Sequence, residues 1–218
     1  MKRLGLLIPS SNVVLEPLAA KRTDIQVHVT RLGVLTVKLD PVSQAQFAID
    51  AHVAAAKLLH DAKVDGIVWG GTSASWLGVA HDEAFVARVE DETCIPTTTT
   101  VLEINRQLRT MGAKRIGLVT PYTSDVAQRI NQNYETLGFE IGAWRADGGD
   151  LSNDFAKISE DIIEGMIRDV AQEKVDAIVI MCTNVAGARI ATNMTEILRV
   201  PVLDSAIATL NLPASFWK

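Results

Sequence analysis

The sequence predicts an α/β fold made of two like halves, each built on a parallel sheet. Three observations carry that prediction. Short runs rich in Val, Ile and Leu recur along the chain, segments with helical apolar spacing separate them, and pieces of the first half return in the same order in the second.

The strand-like runs are residues 4–8, 66–69, 116–119 and 177–180. Each is continuously apolar rather than alternating, the pattern of a parallel strand with helices on both faces. Helical segments are expected between them. Residues 43–61 place Phe47, Ile49, Val53, Ala56, Leu58 and Leu59 among polar residues. Residues 125–137 follow a strand and end at Gly138, a helix-terminating residue. Residues 158–173 carry Ile162, Ile163, Met166, Ile167 and Val170 on one helical face. Strand and helix in alternation give an α/β domain.

The repeat is the sharper signal. "LGLLIPS" (4–10) matches "IGLVTPY" (116–122), "KVDGIVWGGTS" (63–73) matches "KVDAIVIMCTN" (174–184), and "CIPTTTTVLE" (94–103) resembles "RVPVLDSAIA" (199–208). Three pieces in one order point to duplication. The expected division is 1–96 with 207–218 in one half and 97–206 in the other. Two such halves would set the C-terminal ends of their strands around one cleft, where open α/β sheets bind ligands.

Composition narrows the function. The chain has 218 residues, 48% hydrophobic and 22% charged, with a net charge of −5. It shows no basic stripe, so nucleic acid is not an expected partner. It has no apolar run of about 18 residues, so no membrane span is expected. The apolar stretch of "MKRLGLLIPSSN" stops at Pro9, too short for an export signal. Cys94 and Cys182 form neither a CxxC pair nor a disulfide framework, and a cytoplasmic setting is expected.

Four loops after strands, "PSSN" (9–12), "GGTSAS" (70–75), "TPYTSD" (120–125) and "CTN" (182–184), are rich in hydroxyls, amides and small residues. Such loops read either as helix N-caps or as donors to a small anion, and their equivalent placement favours a carboxylate site. Cys182 follows a buried strand, where a thiol serves as nucleophile or acid–base group or is simply packed. Cys94 is expected to be structural. "GGTSAS" lacks the Lys of a nucleotide phosphate loop, and "LGLLIPSSN" lacks the glycine spacing of a dinucleotide site. His28, His52, His60 and His81 show no zinc spacing. His52 and His60 are expected on a solvated helix face, and Trp76 in the core or along the pocket.

On "GLLIPSSNVVLE", "GGTSASWLG", "TMGAKRIGLVTPYTSDV" and "PVLDSAIAT", the chain resembles the aspartate/glutamate racemase superfamily, in the branch of arylmalonate decarboxylase and maleate cis–trans isomerase. The resemblance spans about residues 4–209. It implies two pseudo-symmetric Rossmann-like halves with four-stranded parallel sheets, an active site in the cleft between them, and catalysis without metal or organic cofactor. It implies a monomer or homodimer acting on a small carboxylate or dicarboxylate. Racemases and maleate isomerases of this kind pair two cysteines across the substrate. Here Cys182 fills the second position and Gly71 the first, as in the decarboxylase. By the same resemblance Thr72, Ser73, Tyr122 and the Thr183 amide match an oxyanion hole. Asn12, and with it Ser10 in the same loop, corresponds to the isomerases' carboxylate-binding opening. Asn184 flanks the thiol, and Asn153 in "DLSND" matches a further substrate-binding Asn. The Ser-Ser-Asn and Thr-Asn loops depart from the decarboxylase, and Pro213 interrupts the region where the resemblance implies a continuing helix.

One thiol serves one face of an enediolate, so a decarboxylase-like enzyme is the leading expectation. An isomerase- or racemase-like enzyme using Cys182 with Ser73 or Ser75, and a non-catalytic carboxylate-binding protein, are the alternatives.

Overall fold

The computed structural model describes residues 1–217. The first half contributes β1 (Lys2–Pro9), α1 (Leu15–Ala19), β2 (Ile25–Leu32), α2 (Pro41–Ala45), α3 (Ile49–Asp61), β3 (Gly66–Trp69), α4 (Ala74–Leu77), α5 (Val79–Thr93), β4 (Thr97–Thr99) and α6 (Thr100–Thr110). The second contributes β5 (Arg115–Tyr122), α7 (Ser124–Thr136), β6 (Glu140–Gly149), α8 (Glu160–Ala171), β7 (Ala177–Ile180), α9 (Ala188–Leu198), β8 (Val202–Asp204) and α10 (Ser205–Leu210). Both sheets are parallel and four-stranded, ordered β2-β1-β3-β4 and β6-β5-β7-β8. The two orders are the same path traced twice.

The duplicated residues explain themselves atom by atom. Lys63 and Lys174 both turn the chain with φ of 51°. Val64 and Val175 then enter the core at 6% exposure each. The Asp65 carboxylate accepts the Arg3 N–H at 2.7 Å, and that of Asp176 accepts the Lys114 and Arg115 N–H groups at 2.8 Å. "KVD" is thus a turn, a core anchor and a staple to the neighbouring strand. The agreement continues past the strands. The carbonyls of Pro96 and Pro201 accept the N–H groups of Ile67 and Ile178 at 2.9 and 2.8 Å. The Thr100 hydroxyl donates to the Trp69 carbonyl at 3.1 Å, as that of Ser205 does to Ile180 at 2.5 Å.

Several expectations are corrected. The segment 43–61 is not one helix. Asp40 caps α2 through the Ser43 N–H, Gln46 folds back onto the Leu35 N–H, and α3 begins only at Ile49. Starting there, the buried face holds His52, Ala55, Ala56 and Leu59. His52 is therefore 2% exposed rather than solvated, and its ring meets Trp69 edge-on at 4.6 Å. Cys94 is exposed and closes α5 with φ of 56°. β4 hydrogen-bonds β3, so the first sheet extends three residues past the division drawn at 96. α10 returns to the first half, where Ala206 and Leu210 pack with Leu4, Leu6 and Leu15.

Candidate active site

The strand ends at Pro9, Trp69, Tyr122 and Ile180 point their following loops at one another. A partly open cavity of about 30 Å³ lies between them. Eight of the ten expected site residues line it: Asn12, Gly71, Thr72, Ser73, Tyr122, Cys182, Thr183 and Asn184. Ser10 and Asn153 do not. Both are exposed; Ser152, beside Asn153, lines the cavity instead, its hydroxyl accepting from that of Ser11 at 2.9 Å. Ser75 is buried but turned away, donating to the Thr72 carbonyl at 2.7 Å. Trp76 stands in the wall, edge-on to Tyr122 at 5.3 Å.

The two loops carrying the duplicated motifs are braced to each other. The Thr183 hydroxyl donates to the Gly70 carbonyl at 2.8 Å and accepts from the Asn12 amide at 3.2 Å. The Asn12 carbonyl oxygen accepts the N–H groups of Val14 and Leu15 at 3.0 Å each, opening α1. The Asn184 carbonyl oxygen accepts the Val13 N–H at 2.9 Å, and its amide donates to the Ser152 carbonyl at 2.6 Å. Asn12 and Asn184 thereby fix the distance between the halves.

A roof closes the site. After β2 and β6 the chain pairs with itself across the cleft, through an antiparallel bridge between Thr36 and Leu151. The Val37 N–H donates to the Asp150 carbonyl, and the Ser152 N–H to the Leu35 carbonyl, at 3.0 Å each. Lys38 and Asp150 pair at 2.8 Å on its outer surface. The roof contributes Val34, Val37, Phe47 and Phe155 to the cavity. Sequence reasoning missed these four, together with Trp69 and Ser152. Their signal was weak because roof residues lie in irregular segments, where apolar side chains have no period to reveal a face.

No charged side chain is among the lining residues. The Cys182 thiol is pushed up to about 11, chiefly by burial, against the opposing pull of the Tyr122 hydroxyl and the Asn184 N–H at 3.4 Å. Burial also holds the Tyr122 phenol well above its ordinary range. At neutral pH both groups keep their protons. The site therefore presents a neutral S–H on one edge. On the other stand Thr72, whose hydroxyl meets the Tyr122 hydroxyl at 2.8 Å, and Ser73, which accepts from the Trp69 indole at 3.2 Å. Hydroxyls and backbone N–H groups in a buried cavity are suited to charge that develops on a carboxylate.

Comparison with known proteins bears on the family and the fold. The family model for arylmalonate decarboxylase matches residues 4–214. The chain belongs to the arylmalonate decarboxylase family. Within reach of this family are the maleate isomerases of Nocardia farcinica, 24% identical over 95% of this chain and 87% of that protein, and of Pseudomonas putida, 25% identical over 95% and 88%. Among solved structures, a liganded mutant of arylmalonate decarboxylase superposes with a TM-score of 0.87 at 20% identity, covering 96% of this chain and 90% of that one. A Nocardia farcinica maleate cis–trans isomerase mutant with a covalently bound succinylcysteine intermediate gives 0.86 at 23% identity, covering 97% and 94%. These likenesses carry the fold of both enzymes, and the family's members include lyases and isomerases.

Proposed function

We propose that the protein is a cofactor-independent decarboxylase of a small substituted malonate or related dicarboxylate. The observation that supports this reading most is the single protonated thiol: Cys182 lines the cavity and Gly71 stands at the equivalent place on the other edge.

One carboxylate of the substrate is held by Thr72, Ser73, Tyr122 and the backbone N–H groups beside Cys182. The other is placed against Val34, Val37 and Phe47, where it loses hydration with no cation in return. Breaking its C–C bond releases neutral carbon dioxide and leaves the electron pair on the held carboxylate as an enediolate. Each well-aimed donor stabilises that charge by roughly 3 kcal/mol. Cys182 then delivers its proton to the α-carbon, and the thiolate is reprotonated from solvent after product leaves. A thiol with a raised pKa is a weak acid toward water but a competent donor to a carbanion, which is far more basic. The roof keeps water from quenching the intermediate on the wrong face.

A second reading, maleate isomerase- or racemase-like activity, is favoured by the two curated relatives. The place a second thiol would take is Gly71, which counts against it.

The test is incubation with substituted malonates, maleate, and amino and hydroxy acids in deuterated water. Carbon dioxide release with one deuterium at the α-carbon is expected. Geometric isomerisation or loss of optical activity without carbon dioxide would favour the second reading. Binding of these acids with no turnover would make the protein a carboxylate-binding module.

A further inference from the structure

The two edges of the cleft are related by the repeat, and their side chains have exchanged volume. Trp69 corresponds to Ile180, and Gly71 to Cys182. Trp69 pairs with Leu7 and Ile180 with Val119 in the same register, and the following N–H groups of Gly70 and Met181 donate to those carbonyls at 2.7 and 2.8 Å. One edge is therefore large then absent, the other medium then small.

A Cβ at position 71 would fall on the Trp69 indole, 2.8 Å from Nε1 and closer still to two ring carbons. Real side chains do not approach so near, so the indole would have to shift. It is 1% exposed, held by its hydrogen bond to Ser73 at one end and by the ring of His52 against it. Any side chain at 71, a thiol included, is shut out by the residue two places earlier.

We propose that Trp69 is the specificity-determining residue that makes the site one-sided. It occupies the volume from which a second acid–base group would reach the opposite face of the substrate. The consequence for reaction type rests on the one-thiol reading above; the packing relation does not. The corollary is that Gly71→Cys alone does not install a working second thiol. The pair Trp69→Ile with Gly71→Cys does, because it rebuilds the combination already accommodated beside Cys182, and swaps that conserve volume are the ones cores tolerate.

The experiment is a double-mutant cycle on thermal unfolding, read beside proton exchange. Gly71→Cys alone is expected to lower Tm, on the order of 5 °C, through overpacking. Trp69→Ile alone is expected to lower Tm through a cavity. The double variant is expected to recover at least half of the summed loss, since residues in contact do not add. Additive losses, or a Gly71→Cys protein as stable as the wild type, would overturn the proposal. If a single variant does not fold, a folded double variant is the same coupling in its strongest form, and an unfolded one overturns it.

For the second readout, each enantiomer of the monoacid formed from whichever substituted malonate the wild type decarboxylates is incubated in deuterated water. One thiolate removes the α-proton, and the thiol opposite delivers a deuteron to the other face. Only the double variant is expected to interconvert the enantiomers; equal interconversion by Gly71→Cys alone would overturn the proposal. Coupling in stability with no exchange by any variant would sink the one-thiol reading while leaving Trp69's role supported.

Discussion

The hydroxyls of Thr72 and Tyr122 meet at 2.8 Å across the boundary between the two halves. Thr72 follows β3 and Tyr122 ends β5, so the pair exists only when both sheets are correctly placed. Tyr122→Phe removes the phenol and leaves the ring that packs on Trp76 and Phe155. The expected result is a fall in kcat of roughly 100-fold with little change in Tm. An unchanged kcat on whichever acid the protein turns over would remove Tyr122 from the mechanism.

Cys182 holds its proton to about pH 11 because burial opposes the thiolate. Alkylation by iodoacetamide requires the thiolate, so in a Cys94→Ser background, which removes the exposed second thiol, the rate should climb steadily with pH through 8 and 9 without levelling. A plateau near pH 8.5 would show an ordinary, accessible thiol. Cys182→Ala should lose roughly a thousandfold in turnover while remaining folded.

Asp204 is 2% exposed, its Oδ1 caps α10 through the Ile207 N–H at 2.8 Å, and its Oδ2 has no hydrogen-bond partner. Burial raises this carboxyl to about 7. Its folded pKa lies above the unfolded one, so folding takes up a proton between about pH 4 and pH 7, and stability from this group falls as pH rises through that window. Asp204→Asn should flatten that fall in urea-unfolding measurements. Because ionised Asp204 also pushes the Cys182 thiol up, the same variant should speed alkylation at fixed pH. A variant whose alkylation rate and pH–stability slope both match wild type would leave Asp204 uncoupled from the site.

His52 has the opposite sign. Burial lowers its imidazole to about 4. The unfolded state binds the proton more readily, so the stability this group confers is complete above about pH 6.5 and is lost as pH falls toward 4. His52→Phe should weaken the acid dependence of unfolding over that interval. An unaltered acid limb would assign the loss to other groups.

The sequence carried the plan of the molecule in its repeats. "KVD" twice, followed by apolar runs of equal length, specified two equivalent strands, and the loops after them held six of the residues that meet at the cavity, with Asn12 following β1 and Tyr122 ending β5. Strands β1, β3, β5 and β7 were legible because they are central and apolar along their length. β2 and β6 were not, because they are edge strands, half-exposed and mixed in composition. β4 and β8 are three residues each, too short for a period to show. The error at His52 came from reading an imidazole as polar and solvated although it stands at i, i+4 and i+7 with Ala56 and Leu59 on the buried face.

What the sequence determined by itself was the duplicated fold, the hydroxyl- and amide-rich character of the loops and the presence of one thiol where symmetry allows two. Those follow from local residue types and their spacing along the chain. Only the tertiary structure decided that Ser152 rather than Asn153 lines the cavity, and that Val34, Val37, Phe47 and Phe155 roof it. It also decided what lies beneath Gly71. Contacts between residues far apart in sequence, and the direction each side chain takes from its strand end, are set by how the two halves dock.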